Sequence, residues 1–260
     1  MTILEEIAAY KRKEVEARKL RNDFGKLEKS KYFRRVSPGL TDALLNSSSS
    51  GIIAEYKRKS PSSGIINDKA RIEDVTTGYA GAGAVALSIL TDSKYFGGDN
   101  SDLIKARELN SLPLLRKDFT VDEYQVVEAK SIGADVILLI AAILDNRTAR
   151  MMAQLAASLN MQVILEIHKE KELNFVNEHI NIVGVNNRNL EDFSVDIDAS
   201  LGLAEKIPSE FIKISESGIN STYDIKDLRD HGYNGFLIGE RFMKDDDPVK
   251  SFERFVRELK

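Results

Sequence analysis

Glu55, Lys57, Lys117 and Glu166 are the side chains in this sequence best suited to moving protons, and each stands at or near the end of a short apolar run. In "IIAEYKRKSPSSG" (52–64) a carboxylate and an ammonium two residues apart close such a run and lead into a small polar loop. Strand period two puts Glu55 and Lys57 on one side. Lys117 ends "LPLLRK", Glu166 lies in "QVILEI", Asn186, Asn187 and Arg188 follow "INIVGV", and Glu216, Ser217 and Gly218 follow "FIKIS". One Lys or Glu at a strand end is ordinarily the start of a solvated loop. Acids, bases and amides at five strand ends are a different matter if those ends converge. Charges beside apolar runs are costly unless paired or solvated. A ring of opposite charges meets that condition and shifts pKa values toward ranges useful for general acid–base chemistry.

Convergence requires a particular arrangement of elements. From residue 51 onward, apolar β-rich runs alternate with stretches of helical spacing. The runs are 51–57, 84–90, 112–117, 135–140, 162–167, 180–187, 211–217 and 235–240. Helices are expected near 70–80, 100–109, 121–132, 146–158, 169–177, 197–206, 222–231 and 248–259, with start signals at Asp122, Asn146 and Ser221 or Thr222. Continuously apolar strands are those buried on both faces of a parallel sheet. Eight β-then-α units, without a G-x-G-x-x-G turn after the first strand, point to a closed (β/α)8 TIM barrel rather than an open doubly wound sheet. Such a barrel places its site at the C-terminal strand ends, where Glu55 and Lys57 can point into the mouth and Tyr56 points outward.

Residues 1–48 fall outside the repeat. "ILEEIAAYKRKEVEARK" carries an apolar stripe through Ile3, Ile7, Tyr10 and Val15, and "TDALLNS" is a second helical stretch before the serine run 47–50, read as a short flexible connector. So short a segment cannot bury its own core, so 1–260 is read as one domain whose N-terminal helical extension covers one barrel end.

A phosphate-shaped signal lies in the last two units. Gly218 in "ESGI" and Gly239 in "IGERFM" stand in the loops that commonly hold phosphate in such barrels, where "ERFMKDDD" can supply a short extra helix. "SPSSG" can add hydroxyls and amides to the same anion or simply form a turn.

Composition narrows the alternatives. The chain has 260 residues, a formal net charge of -4 and no cysteine, which excludes disulfides and thiolate chemistry. His168, His179 and His231 are too few and scattered to suggest a metal centre. There is no run of 18 apolar residues, and the N-terminus is too charged for a signal peptide. A cytoplasmic protein without nucleic-acid or membrane partners is expected.

Taken in order, "IIAEYKRKSPSSG", "LSILTDSKYFGG", "PLLRKDFTVDEYQVVEAKSIGADVILLIAAIL", "LEIH", "VGVNNRNL", "ISESGI" and "FLIGERFM" closely resemble the motifs of the indole-3-glycerol phosphate synthase family, and the N-terminal segment resembles that family's helical extension. The resemblance spans nearly the whole chain. It implies ring closure, decarboxylation and dehydration of 1-(2-carboxyphenylamino)-1-deoxyribulose 5-phosphate, in tryptophan biosynthesis, with no metal or organic cofactor. It implies that Lys117 is the acid that protonates the ketone, and that Glu166 and Glu55 serve the dehydration. Lys57 would neutralise the substrate carboxylate or exchange protons, and the division of transfers among these groups stays open. Asn186 matches an asparagine that binds substrate hydroxyls; Arg188 and Glu216 would orient the charged ring, and Ser217 is a substrate-binding position. Ser60, Gly218, Gly239 and Glu240 fall at the phosphate end, Glu240 through its backbone amide because its side chain would repel phosphate. Phe96, Phe119 and Leu139 match apolar positions around the anthranilate ring.

Tyr56 replaces an aliphatic residue and Ser63 a position that is often basic, while Arg58 and Lys59 are read as surface or loop charges. The expected partner is a small phosphorylated substrate, the expected state a monomer or weak homo-oligomer, and no fused second barrel is expected. The rival readings are a phosphoribosylanthranilate isomerase, which calls for a cysteine, a tryptophan synthase α-subunit, and a non-catalytic metabolite-binding barrel. The last predicts loss of a proton-transfer group, yet Glu55, Lys57, Lys117 and Glu166 are all present.

Overall fold

The computed structural model describes residues 2–46, 49–189 and 192–259. Residues 47 and 48 of the serine connector lie outside the described residues. Eight parallel strands close into a barrel: β1 (Ile52–Tyr56), β2 (Ala86–Leu90), β3 (Leu114–Lys117), β4 (Val136–Ile140), β5 (Gln162–Ile167), β6 (Ile182–Asn186), β7 (Ile212–Glu216) and β8 (Gly235–Ile238). Each pairs with the next in sequence, and β1 closes the ring against β8. The barrel expected from the eight-fold alternation is the one observed.

Twelve α-helices complete the described chain: α1 (Ile3–Arg21), α2 (Phe24–Glu28), α3 (Leu40–Leu45), α4 (Ile72–Gly81), α5 (Ser93–Phe96), α6 (Asn100–Leu109), α7 (Glu123–Ile132), α8 (Asn146–Ser158), α9 (Asp198–Leu203), α10 (Thr222–Asp230), α11 (Glu240–Met243) and α12 (Pro248–Leu259). Asp122 and Ser221 are N-caps as read from sequence, their side chains accepting backbone N–H bonds of the first turn. Asn146 is not: Asp145 caps α8, and Asn146 is already helical. The stretch 169–177 forms only a 3₁₀ helix, Glu170–Phe175.

Strand alternation divides the apolar residues into two layers. Ile53, Ala86, Leu115, Leu138, Ile164, Ile182, Ile214 and Leu237 fill the barrel interior. Ala54, Tyr56, Leu87, Ile89, Ile137, Leu139, Leu165 and Val183 belong to the outer layer under the helices. Tyr56 therefore points outward as its parity requires, and its hydroxyl donates to the Ala70 carbonyl at 2.8 Å.

The N-terminal extension covers both ends of the barrel, not one. Leu40 and Leu44 of α3 join the interior core, and Leu44 lies beside Gly235 at the start of β8. The N-terminus of α3 has no side-chain cap of its own, because Gly39 stands there. The Gln162 carboxamide at the start of β5 supplies one, its Oε1 accepting from the backbone N–H groups of Leu40 (2.6 Å) and Thr41 (3.2 Å).

At the opposite end α1 lies across the mouth. It buries Leu4, Ile7, Ala8, Lys11 and Val15, whereas Tyr10, placed on the stripe by sequence, sits at its exposed edge against Tyr95. Lys11 is fully buried, with Nζ 2.8 Å from Asp92 after β2, 2.9 Å from Asp118 after β3 and 3.1 Å from Glu14. Burial alone would lower its pKa, but Asp118 and Asp92 outweigh it and raise the pKa, so the ammonium stays charged. Asp118 in turn is held well below the usual carboxylate range: burial opposes this, and Lys11 and Arg116 overcome it.

Removing Lys11 leaves buried carboxylates without their counter-ion. Lys11→Ala is expected to lower the unfolding free energy by about 3–5 kcal/mol, read as a shift in urea midpoint. A loss under about 1 kcal/mol would show that α1 is held by its apolar contacts alone.

Candidate active site

The barrel geometry brings the predicted acids and bases to one level. Strand register sets Glu55 beside Ser88, Lys117 beside Leu90, Glu166 between Ile140 and Gly184, and Glu216 between Asn186 and Leu237. Glu55, Lys57, Lys117, Glu166, Asn186, Arg188 and Glu216 all line one cavity at the C-terminal strand ends. Its apolar wall comes from Leu90, Phe96, Phe119, Leu138 and Ile140, and its roof from Ile3, Leu4 and Ile7 of α1. The Phe96 and Phe119 rings lie 5.9 Å apart and form a tilted pair on that wall.

Leu139 is the exception among the predicted wall residues. It is fully buried in the outer layer, facing the helices. Leu138 and Ile140, one residue to either side, carry the parity that faces the cavity.

Lys117 is the hub of the charges. Its Nζ donates to Glu166 Oε2 at 3.2 Å and to Glu216 Oε2. Burial works against the ammonium, but Glu216, Glu166 and Glu55 outweigh it and raise its pKa above the ordinary lysine value. Glu166 accepts a second hydrogen bond from Asn186 Nδ2 at 3.2 Å. Burial would raise its pKa, and Lys117, His168 and Asn186 together lower it. Glu216 is pushed up to about 7: burial outweighs Lys117, and the Glu166 charge adds to the rise. One ammonium thus stands between a carboxylate that stays ionised and one that titrates near neutrality.

Across the mouth Glu55 and Lys57 form their own pair, Nζ 3.1 Å from Oε1, and Ser88 Oγ donates to Glu55 Oε2 at 3.2 Å. Two glycines make room for these carboxylates. A Cβ on Gly184 would fall 2.6 Å from Glu216 Oε1, and a Cβ on Gly239 would fall 2.7 Å from Glu55 Oε1. Gly239, read from sequence as a phosphate-loop glycine, is thus also required by Glu55.

The phosphate-shaped end adjoins the pair. Ser217 and Gly218 both adopt left-handed backbone, with φ of 68° and 77°. For serine that conformation is strained, and buried Asn187 holds it by donating to the Ser217 carbonyl at 2.9 Å. Asn187 also bonds Ser200 and Ser215 behind the wall, whereas Asn186 lines the cavity. Lys57, Arg188, Arg241 and Lys244 surround the recess above Gly218 and Gly239, with α11 as the expected short extra helix. Arg241 and Lys244 escaped the sequence reading, because they lie on a helical turn rather than at a strand end. Glu240 accepts from Ser63 Oγ at 3.0 Å and approaches Arg188 at 3.7 Å, so its side chain is already engaged. "SPSSG" forms a hairpin turn in which Ser60 Oγ accepts from Ser63 N at 3.1 Å. Ser60 nevertheless lines the cavity.

Arg58 and Lys59 are not loose loop charges. Arg58 forms a two-pronged pair with Asp102 and donates to the Gly97 carbonyl, and Lys59 Nζ donates to the Lys94 carbonyl at 2.7 Å. Both fasten the loop after β1 to the segment after β2.

The raised pKa of Glu216 has a stability signature. Its folded value, about 7, exceeds the ordinary 4.5, so its contribution is complete below 4.5 and is lost as pH rises through about 7. The lowered value of Glu166 acts only below 4.5, outside that window. Glu216→Gln is therefore expected to raise Tm relative to the unaltered protein progressively from pH 5 to pH 8, by thermal unfolding. An unchanging Tm difference would mean that Glu216 titrates normally.

Comparisons with known proteins bear on the family and the fold. The family model for indole-3-glycerol phosphate synthase matches residues 4–256. An indole-3-glycerol phosphate synthase of Bacteroides thetaiotaomicron is 45% identical over 257 residues, covering 99% of this chain and 98% of the relative. One of Clostridium kluyveri is 40% identical over 263 residues, covering 99% of each. Among solved structures, the 3-hexulose-6-phosphate synthase of Salmonella typhimurium superposes with a TM-score of 0.64 at 11% identity, covering 80% of this chain and 98% of that one. The tryptophan synthase α-subunit of Pyrococcus furiosus gives 0.60 at 13% identity, covering 80% and 96%. At those identities the structures share the barrel fold, whereas the sequence matches reach further: the chain belongs to the indole-3-glycerol phosphate synthase family, a family of carboxy-lyases.

Proposed function

We propose that the protein converts 1-(2-carboxyphenylamino)-1-deoxyribulose 5-phosphate to indole-3-glycerol phosphate, carbon dioxide and water by lysine and glutamate acid–base catalysis. The observation that carries this reading is Lys117, charged and shared between Glu166 and Glu216 in a cavity walled by Phe96 and Phe119. Family membership supports it.

The anthranilate ring packs on the aromatic wall, and the phosphate takes the recess ringed by Lys57, Arg188, Arg241 and Lys244. Lys117 gives its proton to the ketone oxygen as the ring carbon attacks, where an ammonium polarises a carbonyl well. Carbon dioxide leaves, and Lys57 balances the carboxylate charge until it does. In the dehydration Glu166, ionised at neutral pH, removes a proton from the carbon beside the nitrogen. The Glu55–Lys57 pair protonates the departing hydroxyl. Asn186 holds the Glu166 carboxylate, and Arg188 with Glu216 orients the substrate's charged groups.

Purified protein treated with EDTA is expected to turn this substrate into a fluorescent indole product; no turnover at saturating substrate contradicts the proposal. Lys117→Ala should lower kcat by about 10²-fold or more while leaving product binding nearly intact. A kcat within a few-fold of the starting value removes Lys117 as the acid.

A further inference from the structure

His168 continues β5 two residues beyond Glu166, and the proposed chemistry gives it no part. Its imidazole is largely buried between two carboxylates. Nε2 lies 3.5 Å from Glu166 Oε1 and Nδ1 lies 3.8 Å from Glu172 Oε2, and among the described residues neither ring nitrogen has a hydrogen-bond partner. A buried imidazole without a hydrogen-bond partner is costly. Glu172, itself buried, is fixed at the outer end, its Oε2 accepting the His168 backbone N–H at 2.7 Å. On that side His168 and Glu172 line a polar groove next to the cavity, and Leu4 of α1 and Asn186 and Arg188 belong to both walls. Glu166, His168 and Glu172 thus form a row from the reacting centre to solvent.

The proposed reaction needs such a route. Two protons are given, to the ketone oxygen and to the departing hydroxyl, and one is recovered from carbon. The substrate carboxylate leaves as neutral carbon dioxide, so one proton must enter from solvent per turnover. The proton recovered by Glu166 returns to the Glu55–Lys57 pair through the product water, and Lys117 is recharged through Glu166, 3.2 Å away, by a proton that has to cross a site that α1 roofs.

We propose that His168 is a proton-relay residue that carries this incoming proton from the groove, through Glu172, to Glu166. The inference rests on the function proposed above. Glu172 takes a proton from groove water and passes it to Nδ1, while the Nε2 proton moves to Glu166 Oε1; the starting tautomer returns when Nδ1 gives its proton back to Glu172 and groove water protonates Nε2 as the ring turns outward. Closing either gap to hydrogen-bond length takes about 0.5–1 Å. Burial lowers the His168 pKa, but Glu172 and Glu166 outweigh it and leave the ring more basic than an ordinary histidine. Glu216 also acts on the ring from inside the barrel, and Glu5, Arg12, Lys169, Arg188 and Asp196 are the other charged groups lining the groove.

The test compares kcat, KM and their pH dependence for His168→Ala and Glu172→Gln in the full chain. His168→Ala is expected to lose about tenfold or more in kcat at pH 8, less at pH 6, with KM within about threefold. Added imidazole and substituted imidazoles should restore kcat in proportion to their protonated fraction. Glu172→Gln should shift the pH profile in the same direction. A His168→Ala kcat within twofold of the unaltered protein from pH 6 to 9 overturns the relay, as does a tenfold loss that no added acid restores at any pH. Should His168→Ala fail to fold, His168→Gln is read by the same criteria. Turnover by the unaltered protein tests the function by itself, so failure of the relay and failure of the function give different results.

Discussion

One ammonium among three carboxylates sets the terms for the rest of the molecule. Glu55, Glu166 and Glu216 all act on Lys117, and Lys57 adds a second cation through its pair with Glu55. Taking these charges out of water is expensive, and their attraction repays the cost only if each is held at short range by a rigid frame. The barrel is that frame. Glu166 and Glu216 come from different strands and meet at Lys117 because register fixes the height of each strand end. Gly184 leaves the space that the Glu216 carboxylate fills.

The N-terminal extension belongs to the same requirement. Charges interact strongly only where water is excluded, and α1 supplies that exclusion by laying Ile3, Leu4 and Ile7 over the cavity. The helix is anchored beside the site it covers. Lys11 binds Asp92 and Asp118, and Asp118 directly follows Lys117 in sequence. Arg116 continues the network outward through Asp118 and Glu128 to Arg18 of α1. Lys117 is therefore flanked on both sides by residues that hold the roof down, and the roof and the charge cluster are one mechanical unit.

Much of this was legible in the sequence. Eight apolar runs, each followed by helical spacing, determined a closed parallel barrel, because strands buried on both faces show no alternation. The ends of those runs named Glu55, Lys57, Lys117, Glu166, Asn186, Arg188 and Glu216, since a charge beside a buried strand needs a partner. What sequence could not supply was which side chains meet. Leu139 failed because strand parity near the end of an all-apolar run is set by register, which the letters do not show. The stretch 169–177 has helical spacing, but it forms a 3₁₀ helix in which Glu172 is drawn back to the His168 backbone. Nothing in its sequence context sets Lys11 apart from the other charges of α1. Only the fold brings Asp92 and Asp118, some eighty and a hundred residues away, to its ammonium. The chain's letters determine each group's chemistry and each strand's length. The pairing of charges, and hence their pKa values, is decided by tertiary structure, because electrostatic coupling depends on distance and burial rather than on position in the sequence.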